Sequence, residues 1–237
     1  MNNSKSITTT LSNGSVFTGN GWTTASQEGQ EGPQGHGVII YANGDKYDGD
    51  FNNGKKNGFG RFTTKSGSHC YSGYWLDDAK HGEGEIHVYC PTAYYSYQGE
   101  WCNDSMHGRG SHKDLETLCT RTGMWVNNKQ HGYGTIAEPR TNCLLYAGNI
   151  DNNTIQGLGT MIYKSGASYQ GDWRNGRRHG KGRFIYSDGL TEEVGYWVHD
   201  TFKGASLPED VCLSESEGED ELASASASED ESEEEEL

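Results

Sequence analysis

Four of the nine histidines, His81, His107, His131 and His179, stand immediately before a Gly-x-Gly pair. Imidazoles at a repeated position could hold a metal ion or work as general bases near neutral pH. Elsewhere the same position holds Gln34, Asn57, Gln156 and Lys203. Those side chains hydrogen-bond but cannot replace imidazole in ligation or proton transfer. The pattern therefore predicts a slot that satisfies the backbone of a turn, with no metal and no catalytic residue assigned. Six cysteines, Cys70, Cys90, Cys102, Cys119, Cys143 and Cys212, form no C-x-x-C pair and keep no fixed place. They read as reduced thiols of a cytoplasmic protein. The glycine pairs lack the Gly-Lys-Ser/Thr ending of a phosphate loop. No catalytic constellation emerges, no cofactor is expected, and the chain reads as a non-enzyme.

Charge is the second source of chemistry. The formal net charge is -15, from 34 acidic and 19 basic residues. The segment from Ala205 onward holds 14 of the acids and no Lys or Arg, so the rest of the chain is close to neutral. That acidic tail, 205–237, is too polar to bury a core and is expected to be disordered. It reads as a solubilising extension or as a modification site. Ser214, Ser216, Ser226, Ser228 and Ser232 each have an acidic residue three positions later, as substrates of acidophilic kinases do, and a phosphate adds about 1.5 to 2 negative charges. The counterpart is a basic cluster, Arg174, Arg177, Arg178, Lys181 and Arg183. It is a candidate for anionic lipid headgroups, at about 1 kcal/mol per cation near a charged membrane, or for the tail itself, which would then shield it. Nucleic acid binding is disfavoured by the net charge.

These residues are positioned by a repeat. Gly49, Gly73, Gly99, Gly123, Gly148, Gly171 and Gly195 centre units of the form aromatic-x-Gly-x-aromatic, with Arg121, Ile150 and Glu193 departing from it, spaced 23 to 26 residues apart. Each precedes the first glycine of a Gly-x-Gly pair, or Gly204 in the last unit, by nine residues. A fixed offset between two alternating segments predicts a β-hairpin with a defined turn. Strand alternation puts Tyr169, Gly171 and Trp173 on one side, as it does Tyr71, Gly73 and Trp75. Aromatic rings of one strand are then expected to lie over the glycine pair of its neighbour.

Units such as YSGYWLDDAKHGEG, YQGEWCNDSMHGRG and YQGDWRNGRRHGKG resemble the MORN repeat, and the resemblance runs over about residues 15 to 204. It implies an all-β fold, an elongated, twisted antiparallel sheet of stacked hairpins, used as a docking surface; some members of that family bind acidic phospholipids. On this resemblance the chain is expected to be a protein-docking scaffold at a cytoskeletal or membrane-proximal assembly. The alternatives are a peripheral protein of acidic phospholipids or phosphoinositides, and the accessory subunit of an enzyme. Repeats joined to an acidic tail are also similar to ciliary radial-spoke head proteins, which raises an axonemal location. Candidate partner-binding residues are Tyr71, Trp75, Tyr97, Trp101, Tyr169 and Trp173 of the repeats, with Tyr94 and Tyr95 of a tyrosine-rich connector.

The expected organisation is a polar segment at 1–14, the array at 15–204 and the acidic tail. Only 32% of residues are hydrophobic and the mean hydropathy is -0.87, which suits a thin sheet held by aromatic pairs better than a globule. No apolar run reaches the ~18 residues needed to span a bilayer. No apolar core of a secretory leader stands at the N-terminus. The first unit carries an insertion around TTASQEGQEGP, either a flap or a terminal cap. The connector VYCPTAYYSYQ is either a contact surface or packing over the sheet. The fifth unit opens with Arg121 in place of tyrosine, and the region around it reads as irregular, with room for a bend. The decayed eighth unit marks the C-terminal strand as an edge through which a homodimer could pair.

Overall fold

The computed structural model describes residues 6–23, 31–91, 93–114, 116–138 and 143–206, all within one compact unit, Met1–Leu207. The second unit, Pro208–Leu237, lies outside the described residues, and with it the five candidate serines. The strands are β1 (Ile7–Thr10), β2 (Val16–Thr23), β3 (Gly32–Ile40), β4 (Lys46–Asn52), β5 (Lys55–Thr63), β6 (His69–Leu76), β7 (Ala79–Cys90), β8 (Ala93–Cys102) and β9 (Ser105–Asp114). They continue as β10 (Cys119–Val126), β11 (Lys129–Glu138), β12 (Cys143–Asp151), β13 (Thr154–Ile162), β14 (Ser168–Arg174), β15 (Arg177–Ile185), β16 (Glu192–Val198) and β17 (Thr201–Gly204). Each pairs antiparallel with the strand before it and the strand after it. The result is one open, all-β meander whose edges are β1 and β17.

The hairpins form because their turns suit the twist of the strands. Asp77 and Asp78 have φ of 47° and 72°, and Asn103/Asp104, Asn127/Asn128 and Asn152/Asn153 repeat the pair of positive values. This is the two-residue turn that Asn, Asp and Gly tolerate and that right-twisted strands favour. The second turn residue then ties neighbouring hairpins together. Asp78 Oδ1 accepts the Lys56 backbone N–H at 2.9 Å, and Asp78 returns its own N–H to the Lys56 carbonyl at 3.0 Å. Asp104 with Lys80, Asn128 with Met106, Asn153 with Gln130 and Asp200 with Arg178 repeat this reciprocal pair.

The glycine pairs have two jobs rather than the single ring-packing role expected from sequence. The first glycine supplies conformation. Gly82, Gly108 and Gly180 have φ of 63°, 58° and 59°, beside a register shift in each hairpin, as between Gly73 and Trp75. This is a β-bulge that uses a left-handed residue. The second glycine supplies room. A Cβ on Gly182 would stand 2.4 Å or so from the Tyr169 ring, and one on Gly84 or Gly110 would meet Tyr71 or Tyr97 in the same way. Rings do lie over glycine, but over one member of a pair, and in the fifth unit over neither.

Two further expectations change. The segment read as a polar N-terminal stretch supplies β1, which pairs with β2 from Ile7↔Gly19 to Thr10↔Val16; its threonines and isoleucine suit a strand although no glycine landmark marks it. The tyrosine-rich connector is a continuation of β7 and β8, with Tyr89 paired to Tyr94 and Cys90 to Ala93. Residues 24–30 of the insertion lie outside the described residues.

Candidate functional site

Alternation gives the sheet an aromatic face and an outer face. On the aromatic face the repeat tyrosines and tryptophans form a ladder. Tyr71 meets Trp75 edge-on at 5.0 Å within its hairpin and Trp101 at 5.4 Å in the next. Tyr97 does the same with Trp101 and Trp125, at 5.2 and 5.6 Å, and Tyr169 with Trp173 and Trp197. Such edge-to-face pairs contribute about 0.5–1.5 kcal/mol each beyond burial. The polar ends are satisfied locally. Tyr71, Tyr97 and Tyr169 each donate their hydroxyl to the carbonyl three residues on, at 3.0 Å. Trp75, Trp101, Trp125 and Trp173 donate their indole N–H to Gly60, Gly84, Gly110 and Gly159 of the preceding hairpin, at 3.1–3.2 Å. Burial pushes the tyrosine hydroxyls up, Tyr146 to about 12, with Tyr133 adding to the effect.

Cations cover the rings. Lys56 Nζ stands 4.1 Å from the Trp75 centroid and Arg178 4.3 Å from that of Trp197, an arrangement attractive to the ring quadrupole. Burial lowers the Lys56 ammonium, against the pull of Asp78 and Asp104.

This geometry corrects most of the residues expected to meet a partner. Tyr71, Trp75, Tyr97, Trp101, Tyr169 and Trp173 are between 0% and 6% exposed, so they are the core of the sheet and offer no contact surface. Tyr95 is half-buried, stacked on His112 at 5.1 Å. Of the eight, Tyr94 alone is well exposed, 4.9 Å from the exposed Tyr89. The side chains that do face outward were passed over because they occupy the variable x positions of the repeat. They include Phe59 and Tyr74, paired edge-on at 5.6 Å, and Met124, Tyr133, Leu158 and Val194. Counting the residues between the landmark glycines would have found them.

The basic cluster is divided in the same way. Arg178 belongs to the aromatic face, where its guanidinium reaches the Asp200 carboxylate at 3.2 Å and carbonyl at 2.9 Å. Arg183 lies on the outer face, with Nε 2.7 Å from Glu192, and Lys181 stands there beside Tyr196. Arg174 and Arg177 flank the turn. Alternation thus takes Arg178 away from Lys181 and Arg183, which share the outer face, so the five cations do not all lie on one side.

The slot before the glycine pairs reaches the next hairpin's turn. Gln34 and Gln156 accept the backbone N–H of Asn53 and Asn175 at 2.8 Å. Asn57 reaches Asp77, and His131 Nδ1 lies 2.9 Å from Asp151.

The ladder breaks once. Where the neighbouring units have tyrosine, Tyr97 and Tyr146, the fifth has Arg121, and the buried Gln130 lays its amide over Gly134 while donating to the Thr122 carbonyl at 3.1 Å. The core divides there into one cluster ending at Trp125 and another from Tyr146 to Trp197. The backbone pairing continues across this point but is less regular there, as expected: the β11–β12 register shifts between Ile136 and Ala137, whereas the other pairings between successive hairpins show no shift among the described residues.

A family model for the MORN repeat matches this chain seven times, at residues 33–46, 47–69, 71–87, 97–113, 122–136, 146–168 and 169–191, more than half of its length. Among curated proteins the chain is similar to an inactive protein tyrosine kinase pTKL of Plasmodium berghei (strain Anka), 39% identical over 56 residues. That match spans 23% of this chain and 4% of the relative.

Proposed function

Because this chain belongs to the MORN repeat family, we propose that it is a non-enzymatic scaffold that docks other proteins, held in a cytoskeletal or membrane-proximal assembly. The observation that carries this reading is the division of labour within each unit. Residues that recur are buried in the ladder or fixed in turns, whereas those facing outward differ from hairpin to hairpin: Asp48 and Asp50, then Ser72 and Tyr74, then Gln98 and Glu100. A regular frame with a variable face presents a series of distinct short surfaces. Exposed ring pairs, Phe59 with Tyr74 and Tyr89 with Tyr94, supply large contact area at low cost in side-chain entropy. A trough of about 650 Å³ beside Phe59, lined also by His36, Lys46, Arg61 and Lys65, adds polar specificity.

The test is fractionation of the tagged chain from its native cell after non-ionic detergent, followed by identification of co-purifying proteins. Retention in the insoluble cytoskeleton, with partners lost on Phe59→Ser/Tyr74→Ser or Tyr89→Ser/Tyr94→Ser while the melting temperature holds, is the expected result. Release from a membrane pellet by high salt, with the partner set untouched by both double variants, would overturn it in favour of lipid docking.

A further inference from the structure

The outer face of β9–β14 carries an apolar row with opposite charges at its ends. Arg109 is paired with Met124, Tyr133 with Asn149, and Leu158 with Asp172. These six residues follow one another across six adjacent strands, and Met124, Tyr133 and Leu158 are 43%, 65% and 64% exposed. The neighbouring row, from Ser111 through Thr122 and Ala147 to Gln170, carries no charge. Beyond β9 the face turns acidic, with Glu100 and Glu83 directly paired. Beyond β14 it turns basic, with Lys181 and Arg183 on β15.

That antisymmetry fits a second copy of this chain. A two-fold axis parallel to the strands, running between β11 and β12 in the space between two stacked sheets, carries β9 over β14 of the second copy and β8 over β15. Arg109 then faces Asp172, Met124 faces Leu158, Tyr133 faces Asn149, and Glu100 faces Lys181, each contact occurring twice. This is the self-complementarity a symmetric dimer requires. Like charges directly opposite one another destabilise a sheet, so the Glu83–Glu100 pair gains from an incoming lysine. Eight strands about 4.8 Å apart, covered over roughly 15–20 Å of their length, give about 600–750 Å² per copy. A standard interface buries about 800 Å² per partner. We propose that this face is a self-association surface, on which two copies stack outer face to outer face about that axis. The proposal stands whether or not a different protein docks elsewhere on the array, and it uses neither edge strand.

The full chain would be examined by sedimentation velocity from about 1 to 100 µM, with a monomer–dimer equilibrium expected in that range for an interface somewhat below standard size. Leu158→Asp buries an unpaired carboxylate against Met124 of the second copy and should weaken association at least tenfold. Lys181→Glu sets like charges face to face and should also weaken it, and adding Glu100→Lys should restore it by exchanging the two ends. Leu158 and Lys181 are exposed, so circular dichroism should show both single variants folded. Should the exchange variant fail to fold, Leu158→Asp alone decides. A chain that stays monomeric throughout, a dimer indifferent to Leu158→Asp, or a folded exchange variant no tighter than Lys181→Glu would each overturn the proposal.

Discussion

Replacing the two glycines of one pair by alanine should give costs of different size and different origin. Take Gly84 and Gly82. A Cβ on Gly84 would sit 2.6 Å from Cζ of Tyr71 and closer still to its hydroxyl. Tyr71 is 2% exposed and cannot retreat without giving up its ring contacts to Trp75 and Trp101 and its hydrogen bond to the Tyr74 carbonyl. Two ring pairs at about 0.5–1.5 kcal/mol each and one hydrogen bond at about 1 kcal/mol put the loss at roughly 2–4 kcal/mol. A Cβ on Gly82 meets nothing closer than 3.4 Å, at Tyr74 Cβ. There the cost is conformational, roughly 1–2 kcal/mol for a left-handed alanine. Because stability in a repeat array is local, the readout is amide exchange in β6 and β7, alongside urea unfolding followed by tryptophan fluorescence. Tyr71→Leu, which shortens the obstructing side chain, should partly rescue Gly84→Ala and leave Gly82→Ala unrescued, with a coupling of about 1 kcal/mol or more. If Gly82→Ala is the costlier change, or if the Gly84→Ala/Tyr71→Leu double is additive, the separation of roles is refuted.

Trp75→Phe discards an indole N–H donated to Gly60, whereas the Trp197 indole nitrogen is buried without an acceptor among the described residues; Trp75→Phe should cost about 1 kcal/mol more than Trp197→Phe in urea. Arg121→Tyr with Gln130→Lys supplies the missing rung and a covering cation like Lys80, and should slow exchange in β10 and β11 by an amount equivalent to about 1–2 kcal/mol. Burial alone would raise the Asp104 carboxyl, but hydrogen bonds from Lys80, with the Lys80 and Lys56 charges, hold it below the ordinary 3.8. A depressed carboxyl contributes stability above its unfolded pKa and loses it as the pH falls through the folded value, so acid below about pH 3.8 should loosen the tie between the β8–β9 turn and β7. Asp104→Asn, which keeps an acceptor as Asn128 and Asn153 do, should flatten that part of a melting-temperature profile against pH.

The hairpins, their turns and the placing of rings over glycine were legible in the sequence, because each leaves a residue-type signature at a fixed interval. Three features were not. The bulge behind Gly82 and its counterparts has the same spelling as close packing, since glycine answers both a positive φ and a lack of space. The acceptors of the tryptophan N–H groups are backbone carbonyls, which no side-chain pattern announces. The most regular aromatics, such as Tyr97 and Trp101, were expected at the surface, yet regularity is what a ladder demands of its core. Arg178 was grouped with the other cations of β14 and β15 for a related reason: neighbours in sequence within a strand can lie on opposite sides of it.

The reciprocal turn bonds run along one rim only. At that rim every connection from β4–β5 onward is two residues long, and an added residue there would break the ties to the hairpin behind it; the first connection, from Thr23 to Gly32, is longer and carries no such reciprocal tie among the described residues. At the other rim, lengths already vary, from Tyr41–Asp45 to the extended Tyr89–Tyr94 ribbon and the segment after Glu138. New sequence can therefore enter the chain at one margin without disturbing the sheet, and lineages carrying such arrays should accumulate their insertions there, or in the first unit ahead of the reciprocal ties, while the tied turns of the opposite margin keep their length.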